Sequence, residues 1–158
     1  MDRMALGALI SITYRSHFVR INNRMKELGL SEGQFFVLML LSDEQGLTQN
    51  MAAERLLIDK GSVARAVNVL EDKGLVKRVT DKNNRRAVRL YLTELGEQLV
   101  PEVVKIDREW EEAVFSGFTE DENEQAKLLL LKIAQNSYEA AYNNGVKKWK
   151  KFTLKDLQ

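Results

Sequence analysis

Apolar residues recur every three or four positions through the first segment, where Leu6, Leu9, Ile10, Tyr14, Phe18, Ile21, Met25 and Leu28 share one helical stripe. No proline or turn signal interrupts them, so the spacing predicts one long helix from Arg3 that ends before Gly29. Leu30-Ser31-Glu32-Gly33-Gln34-Phe35 opens a second helix. Ser31 is a good N-cap, Gln34 completes a capping box, and Leu30 staples onto Phe35. This helix carries Phe36, Leu38, Met39 and Leu41 to about Ser42, an apolar content that predicts burial on several sides.

Thr48 caps a short third helix bearing Met51, Ala52 and Leu56. The turn Leu57-Ile58-Asp59 leads to a fourth helix capped by Asp59, with Val63, Ala66, Val67 and Leu70 inward and Gly74 as its left-handed C-cap. Two short helices joined by a tight turn form a helix-turn-helix. The hydrophobic period then changes from helix to strand. Leu75 to Thr80 is rich in β-branched residues, and Val88, Leu90 and Leu92 alternate with Arg89 and Tyr91. Between them the polar run from Asp81 to Arg86 suits a hairpin tip, and a helix-turn-helix followed by a hairpin is a winged helix.

Thr93 caps a further long helix to about Phe115, in which Pro101, beyond the first turn, predicts a kink near Glu97 to Pro101. Thr119-Glu120-Asp121-Glu122 is a second capping box and opens a last helix through Leu128, Leu131, Ile133 and Tyr138. The expected fold is mainly α with a small β-hairpin wing. It divides into an N-terminal dimerisation helix (1–30), a winged helix-turn-helix (31–96) and C-terminal dimerisation helices (97–158). A winged helix closes without either end, so the apolar faces of the long terminal helices need another partner, and a second copy of the chain is the simplest one.

Composition narrows the chemistry. The chain has 158 residues, no cysteine and one histidine, which excludes disulfides, thiolate catalysis and thiolate metal sites. No nucleophile–base pair, metal set or glycine-rich phosphate loop appears, so the sequence predicts neither an enzyme nor a cofactor or metal. No apolar run approaches the roughly 18 residues of a membrane span, and no signal peptide is visible, so a cytoplasmic protein without a membrane partner is expected. Net charge is only +1, but residues 46–92 carry 10 basic and 5 acidic groups while residues 93–128 carry 3 and 11. A basic middle beside an acidic flank points to a polyanion-binding face on a scaffold that does not bind one. The acidic group Glu109, Glu111, Glu112, Glu120, Asp121, Glu122 and Glu124 reads as a solvated face with helix-dipole capping.

Leu28-Gly29-Leu30-Ser31, the helix-turn-helix, Gly74-Leu75-Val76-Lys77-Arg78, Asn84-Arg85-Arg86 and Leu92-Thr93-Glu94-Leu95-Gly96 follow one another in family-like spacing. Together they resemble the MarR family (multiple antibiotic resistance regulators). The resemblance covers nearly the whole chain. It implies a homodimeric winged-helix transcription factor, usually a repressor, often released by small aromatic or phenolic ligands. One residue departs from the pattern: the acid of the family's wing tip is Asn84 here, so the ion pair that steadies the wing arginine becomes a neutral hydrogen bond or is lost.

With Val63, Val67 and Leu70 inward, the fourth helix turns Lys60, Gly61, Ser62, Ala64, Arg65 and Asn68 outward. Small residues permit close approach to a major groove, while Arg65 suits guanine O6 and N7 and Asn68 suits adenine N6 and N7. Ser62 and the helix N-terminal amides suit phosphates. The wing tip offers Lys82, Arg85 and Arg86, of which Arg86 matches the family's wing arginine and suits a minor groove. Lys77 and Arg78 read equally well as ordinary surface charges. The family's effector pocket implies a role for residues near the first helix. Tyr14, Arg15 and Phe36 suit an aromatic carboxylate by ion pair and stacking, and His17 reads first as a structural histidine and second as a ligand residue. The basic and aromatic ending, Lys147 to Phe152, reads first as the finish or frayed end of the dimer helix and second as a contact to nucleic acid or membrane. These features predict a homodimeric repressor on a pseudo-palindromic duplex, displaced by a small aromatic carboxylate or phenolic effector. The rival is a winged helix that serves as a protein-interaction or assembly module.

Overall fold

A computed structural model describes residues 5–142. The ends of the chain, including Arg3 and the basic run from Lys147 to Phe152, lie outside the described residues. One compact unit ends at Glu112 and a second begins at Ala113.

The first unit holds α1 (Leu6–Glu27), α2 (Glu32–Asp43), β1 (Leu47–Thr48), α3 (Gln49–Leu56), α4 (Lys60–Asp72), β2 (Val76–Thr80), β3 (Val88–Leu92) and most of α5 (Glu94–Val114). The expected caps are present. Gln34 Oε1 accepts from the Ser31 amide at 2.8 Å and from the Ser31 hydroxyl at 2.7 Å. Thr48 Oγ1 accepts from the Met51 amide at 3.2 Å, and Asp59 Oδ1 from the Ser62 amide at 2.8 Å. The turn between α3 and α4 passes through Leu57 at φ 55°, a left-handed conformation that a leucine adopts only at some cost. α5 continues through Pro101 without a break.

The wing hairpin is joined by a strand that two residues are too few to announce by periodicity. β1 pairs with β3 through Leu47 opposite Leu90, giving a three-stranded antiparallel sheet in the order β1-β3-β2. The core lies under this sheet. Val63, Ala66, Val67 and Leu70 of α4 meet Phe35, Val37, Leu38 and Leu41 of α2, with Leu75, Val76, Leu90 and Leu92 beneath the wing. Ile21 and Met25 of α1 and Val103 and Ile106 of α5 belong to the same core. Within α1 only Ile21 and Met25 are buried: Leu6, Leu9, Ile12 and Val19 are each about half exposed or more (57%, 49%, 47% and 57%).

In the second unit, α6 (Glu120–Tyr142) begins at the expected capping box. Glu122 Oε2 accepts from the Thr119 amide at 2.8 Å, and the Glu122 amide donates to Thr119 Oγ1 at 3.3 Å. These bonds from Thr119 hold the Glu122 carboxyl below its ordinary pKa. Phe115 and Phe118 pack edge to face at 5.4 Å just before the helix.

The wing is tied to α4 and α5 at one point. Gly74, at φ 69°, ends α4, and Leu75 folds back to donate its amide to the Leu70 carbonyl at 2.8 Å. Thr93 then donates its amide to the Leu75 carbonyl at 3.0 Å and its hydroxyl to the Gly74 carbonyl at 2.6 Å, while capping the Gly96 amide at 3.0 Å. A Cβ at Gly96 would stand 2.1 Å from the Leu75 carbonyl oxygen, so no side chain fits there without backbone movement. Gly96→Ala should therefore cost at least the roughly 1–3 kcal/mol typical of overpacking, read as a lower urea midpoint at an unchanged slope. A midpoint equal to that of the parent chain would show that the junction is not tight.

Candidate nucleic-acid interface

The first turn of α4 is a small hydrogen-bonded network. Asp59, extended at φ −68° and ψ 150°, accepts from the Ser62 hydroxyl at 2.5 Å as well as from its amide. Ser62 Oγ in turn accepts from Arg65 Nη2 at 2.9 Å. The bonds from the Ser62 side chain, then its amide, hold the Asp59 carboxyl below its ordinary pKa. Gly61 lies close beside them: a Cβ there would stand 3.1 Å from Asp59 Oδ1 and 3.3 Å from Arg65 Nη1, so those side-chain ends would have to shift by a few tenths of an ångström. Lys60, Gly61, Arg65 and Asn68 are exposed on this face, and Ser62 and Ala64 are half-buried. Ser62, which the sequence offered to a phosphate, has partners within the chain. Its proton goes to Asp59 and its oxygen receives Arg65, so it holds the arginine in place before any phosphate arrives.

The far end of the same face is also held. Arg78 of β2 donates through Nη2 to Asn68 Oδ1 at 2.6 Å and pairs through Nη1 with Glu71. An amide oxygen engaged in this way bears on the adenine pairing expected of Asn68, which needs that oxygen and the amide nitrogen side by side.

The wing is organised by a residue to which the sequence reading gave no role. Asp81 Oδ1 accepts from the amides of Asn83 at 2.8 Å and Asn84 at 3.3 Å, and Oδ2 accepts from Arg89 Nε at 2.6 Å. Arg89 also donates to the Gly46 carbonyl at 2.8 Å, tying the hairpin to the start of β1. The Asn83 amide first, then Arg89, lowers the Asp81 pKa. Asn84 Oδ1 accepts from the Arg86 backbone amide at 3.2 Å rather than from its guanidinium, so this bond does not replace the ion pair of the family's wing. Lys82, Arg85 and Arg86 are exposed, and none forms an ion pair with another described residue. Between the wing and the start of α3 lies an open groove of about 520 Å³, lined in part by Gln49, Asn50, Arg78 and Arg86.

Of the four residues considered for an effector, the structure brings two together. The rings of His17 and Phe36 lie 6.2 Å apart, with Phe35 at 6.3 Å and Trp110 at 4.4 Å from His17. His17 Nε2 faces Asp107 at 3.7 Å. Tyr14, 56% exposed, and Arg15 lie on the uncovered side of α1. Glu32 joins the cluster: burial raises its pKa against an opposing influence from His17, and its Oε1 is buried without a hydrogen-bond partner. Trp110, Asp107 and Glu32 escaped the sequence reading because helix phase does not say which faces of separate helices meet.

Asp59 and Asp81 share one sign of pH dependence. Their folded-state pKa values are depressed, so the contributions of cap and wing are complete above the ordinary aspartate range and disappear as pH falls through the depressed values. Asp81→Asn keeps an oxygen for the Asn83 and Asn84 amides but loses the charge facing Arg89. We expect faster amide exchange at Asn83 and Asn84 at neutral pH, no acid-dependent increase at those amides, and a melting temperature within a few degrees of the parent, since the bonds of Asp81 all lie within the hairpin. A large fall in melting temperature would make Asp81 a global rather than a local anchor.

The fold has close counterparts. A model of the MarR family matches residues 28–87. The HTH-type transcriptional regulator YybA of Bacillus subtilis is 30% identical over 115 residues, 73% of this chain and 77% of its own. A MarR transcriptional regulator from Methanosarcina mazei superposes with a TM-score of 0.81 at 36% identity, covering 85% of this chain and 97% of that one. A MarR family regulator from Listeria monocytogenes, solved with a 26-mer DNA, gives a TM-score of 0.81 at 29% identity over 92% of this chain and 99% of its own. The chain belongs to the MarR family of winged-helix, DNA-binding transcriptional regulators, which are not enzymes.

Proposed function

We propose that this regulator is a homodimeric repressor that binds a pseudo-palindromic duplex in the cytoplasm and blocks a promoter by occupying it. α4 of each protomer enters a major groove, and each wing places Arg86 in the flanking minor groove. The observation that carries this reading is the preset Asp59–Ser62–Arg65 network on an exposed, small-residue helix face. It supplies an oriented guanidinium where close approach to base edges is possible. Lys82, Arg85 and Arg86 of the wing tip, without an acidic partner among the described residues, supply the grip beside it.

Dimerisation is supported by the uncovered apolar stretch of α1, where Leu6, Leu9, Ile10 and Ile12 are 43–57% exposed. A second copy covers such a surface most economically. In this reading residues 1–30 and 97–158 form the dimer and residues 31–96 bind DNA. The cluster of His17, Phe36, Phe35 and Trp110 offers an effector an aromatic wall. Asp107 and Glu32 make its charge acidic, which favours a phenol over the carboxylate that Arg15 was expected to hold. Such a ligand acts by changing the separation of the two recognition helices.

Two substitutions test the division of labour. Arg65→Ala should cost roughly 1–3 kcal/mol at a cognate site and flatten preference at one base position. Arg86→Ala should weaken all sequences alike and reduce the slope of log affinity against log salt by about one. Equal, sequence-independent losses from both would contradict it. Binding that ignores salt altogether would favour a protein-interaction module instead.

A further inference from the structure

We infer that Arg78 is a specificity-determining positioning residue: by holding the Asn68 oxygen at 2.6 Å, it leaves the amide donors of Asn68 to face the groove. The inference rests on α4 being the major-groove reader. Asn68 lies on the exposed face of α4, one turn beyond Arg65. Its amide has two possible orientations, and chemistry selects one of them. A guanidinium only donates, so the group facing Arg78 must be the oxygen, and the Nδ2 donors take the other side.

Arg78 is itself fixed. It projects from β2, where its backbone pairs with Leu90, and its second nitrogen is neutralised by Glu71, one turn further along α4. The side chains of Arg78 and Glu71 are 25% and 40% exposed, so the fork sits at the edge of the reading face rather than free in solvent. With its charge matched by Glu71, Arg78 is poorly suited to act as a phosphate contact. Its planar fork spans two acceptors of the recognition helix at once, which an ammonium does not reproduce.

Donors facing the groove suit the acceptors of guanine, adenine N7 and thymine O4. They reject cytosine, whose polar group in the major groove is the N4 amino donor. Once Arg78 releases it, the amide turns freely and its oxygen can accept from that amino group. Arg78 thereby sets, from the wing side, what a residue of the recognition helix will tolerate.

The test is selection of bound duplexes from a random pool, with the full-length chain and its Arg78→Lys, Arg78→Met and Asn68→Ala variants, each checked by thermal melting. We expect the parent to reject cytosine at one position of each half-site and Asn68→Ala to abolish that rejection. Both Arg78 variants should relax it at the same position by about fivefold or more, the size of a specific base contact. Arg78→Lys is the decisive variant, since it preserves charge and removes only the fork. A uniform loss of affinity with a lower salt slope would make Arg78 a phosphate contact and overturn the inference. So would a lower melting temperature with unchanged base preference, or a change at a different position. A parent chain that enriches no sequence overturns the major-groove reading beneath it, whereas an enriched motif unaffected by both Arg78 variants overturns this inference alone.

Discussion

The carbonyl groups of Gly74 and Leu75 fix the geometry of the α4 face and the wing that we propose to read DNA. Within three residues the chain leaves α4, reverses through a left-handed glycine and starts β2. At that same point Thr93 returns from β3, bonds both carbonyls and starts α5 over the bare Cα of Gly96. The recognition helix, the wing and the long helix leading away therefore share one anchor. Displacing that junction moves all three together, which is why a single methyl group at Gly96 matters more than the loss of most surface ion pairs. The apolar stripe of α4 supplies the rest of the hold, since Val63, Val67 and Leu70 are fully buried.

The basic segment identified from charge alone proves to be two populations of cation. Arg55 pairs with Glu44, Arg78 with Glu71 and Arg89 with Asp81, and these arginines shape the protein. Lys60, Lys82, Arg85 and Arg86 have no acidic partner among the described residues, and Arg65 is steadied by a neutral serine. Charges without a partner retain their full attraction for phosphate. The wing keeps this property because its ordering acid is Asp81 at the base rather than an acid at position 84. Asn84 contributes a neutral bond to the Arg86 backbone and leaves the guanidinium free.

Much of this was legible in the sequence, and the division follows sequence distance. Ser31 with Gln34, Thr48, Asp59, Thr119 with Glu122, and Gly74 are signals read over three or four residues, and each fell where expected. The change of period at Leu75 located the hairpin for the same reason. β1 has only two residues, too few for alternation, and depends on a partner strand some forty residues away. Arg78 and Arg89 lay on strands whose pattern was clear, but their roles come from pairing with Glu71, Asn68, Asp81 and Gly46, which only the fold brings close. In α1 the stripe was visible but its burial was not: Ile21 and Met25 enter the core, while Leu6 and Leu9 stay uncovered.

The most direct test of the account uses the absence of cysteine from the chain, which makes single-site labelling clean. An iron chelate that generates hydroxyl radicals is attached to Lys60→Cys at the start of α4 or to Lys82→Cys on the wing. Each conjugate is then bound to a duplex enriched from a random pool. The account predicts two inner cleavage clusters from the helix label and two outer clusters from the wing label, all symmetric about the centre of the site. Both labels cutting the same sugars, or diffuse cutting without a centre of symmetry, would contradict it.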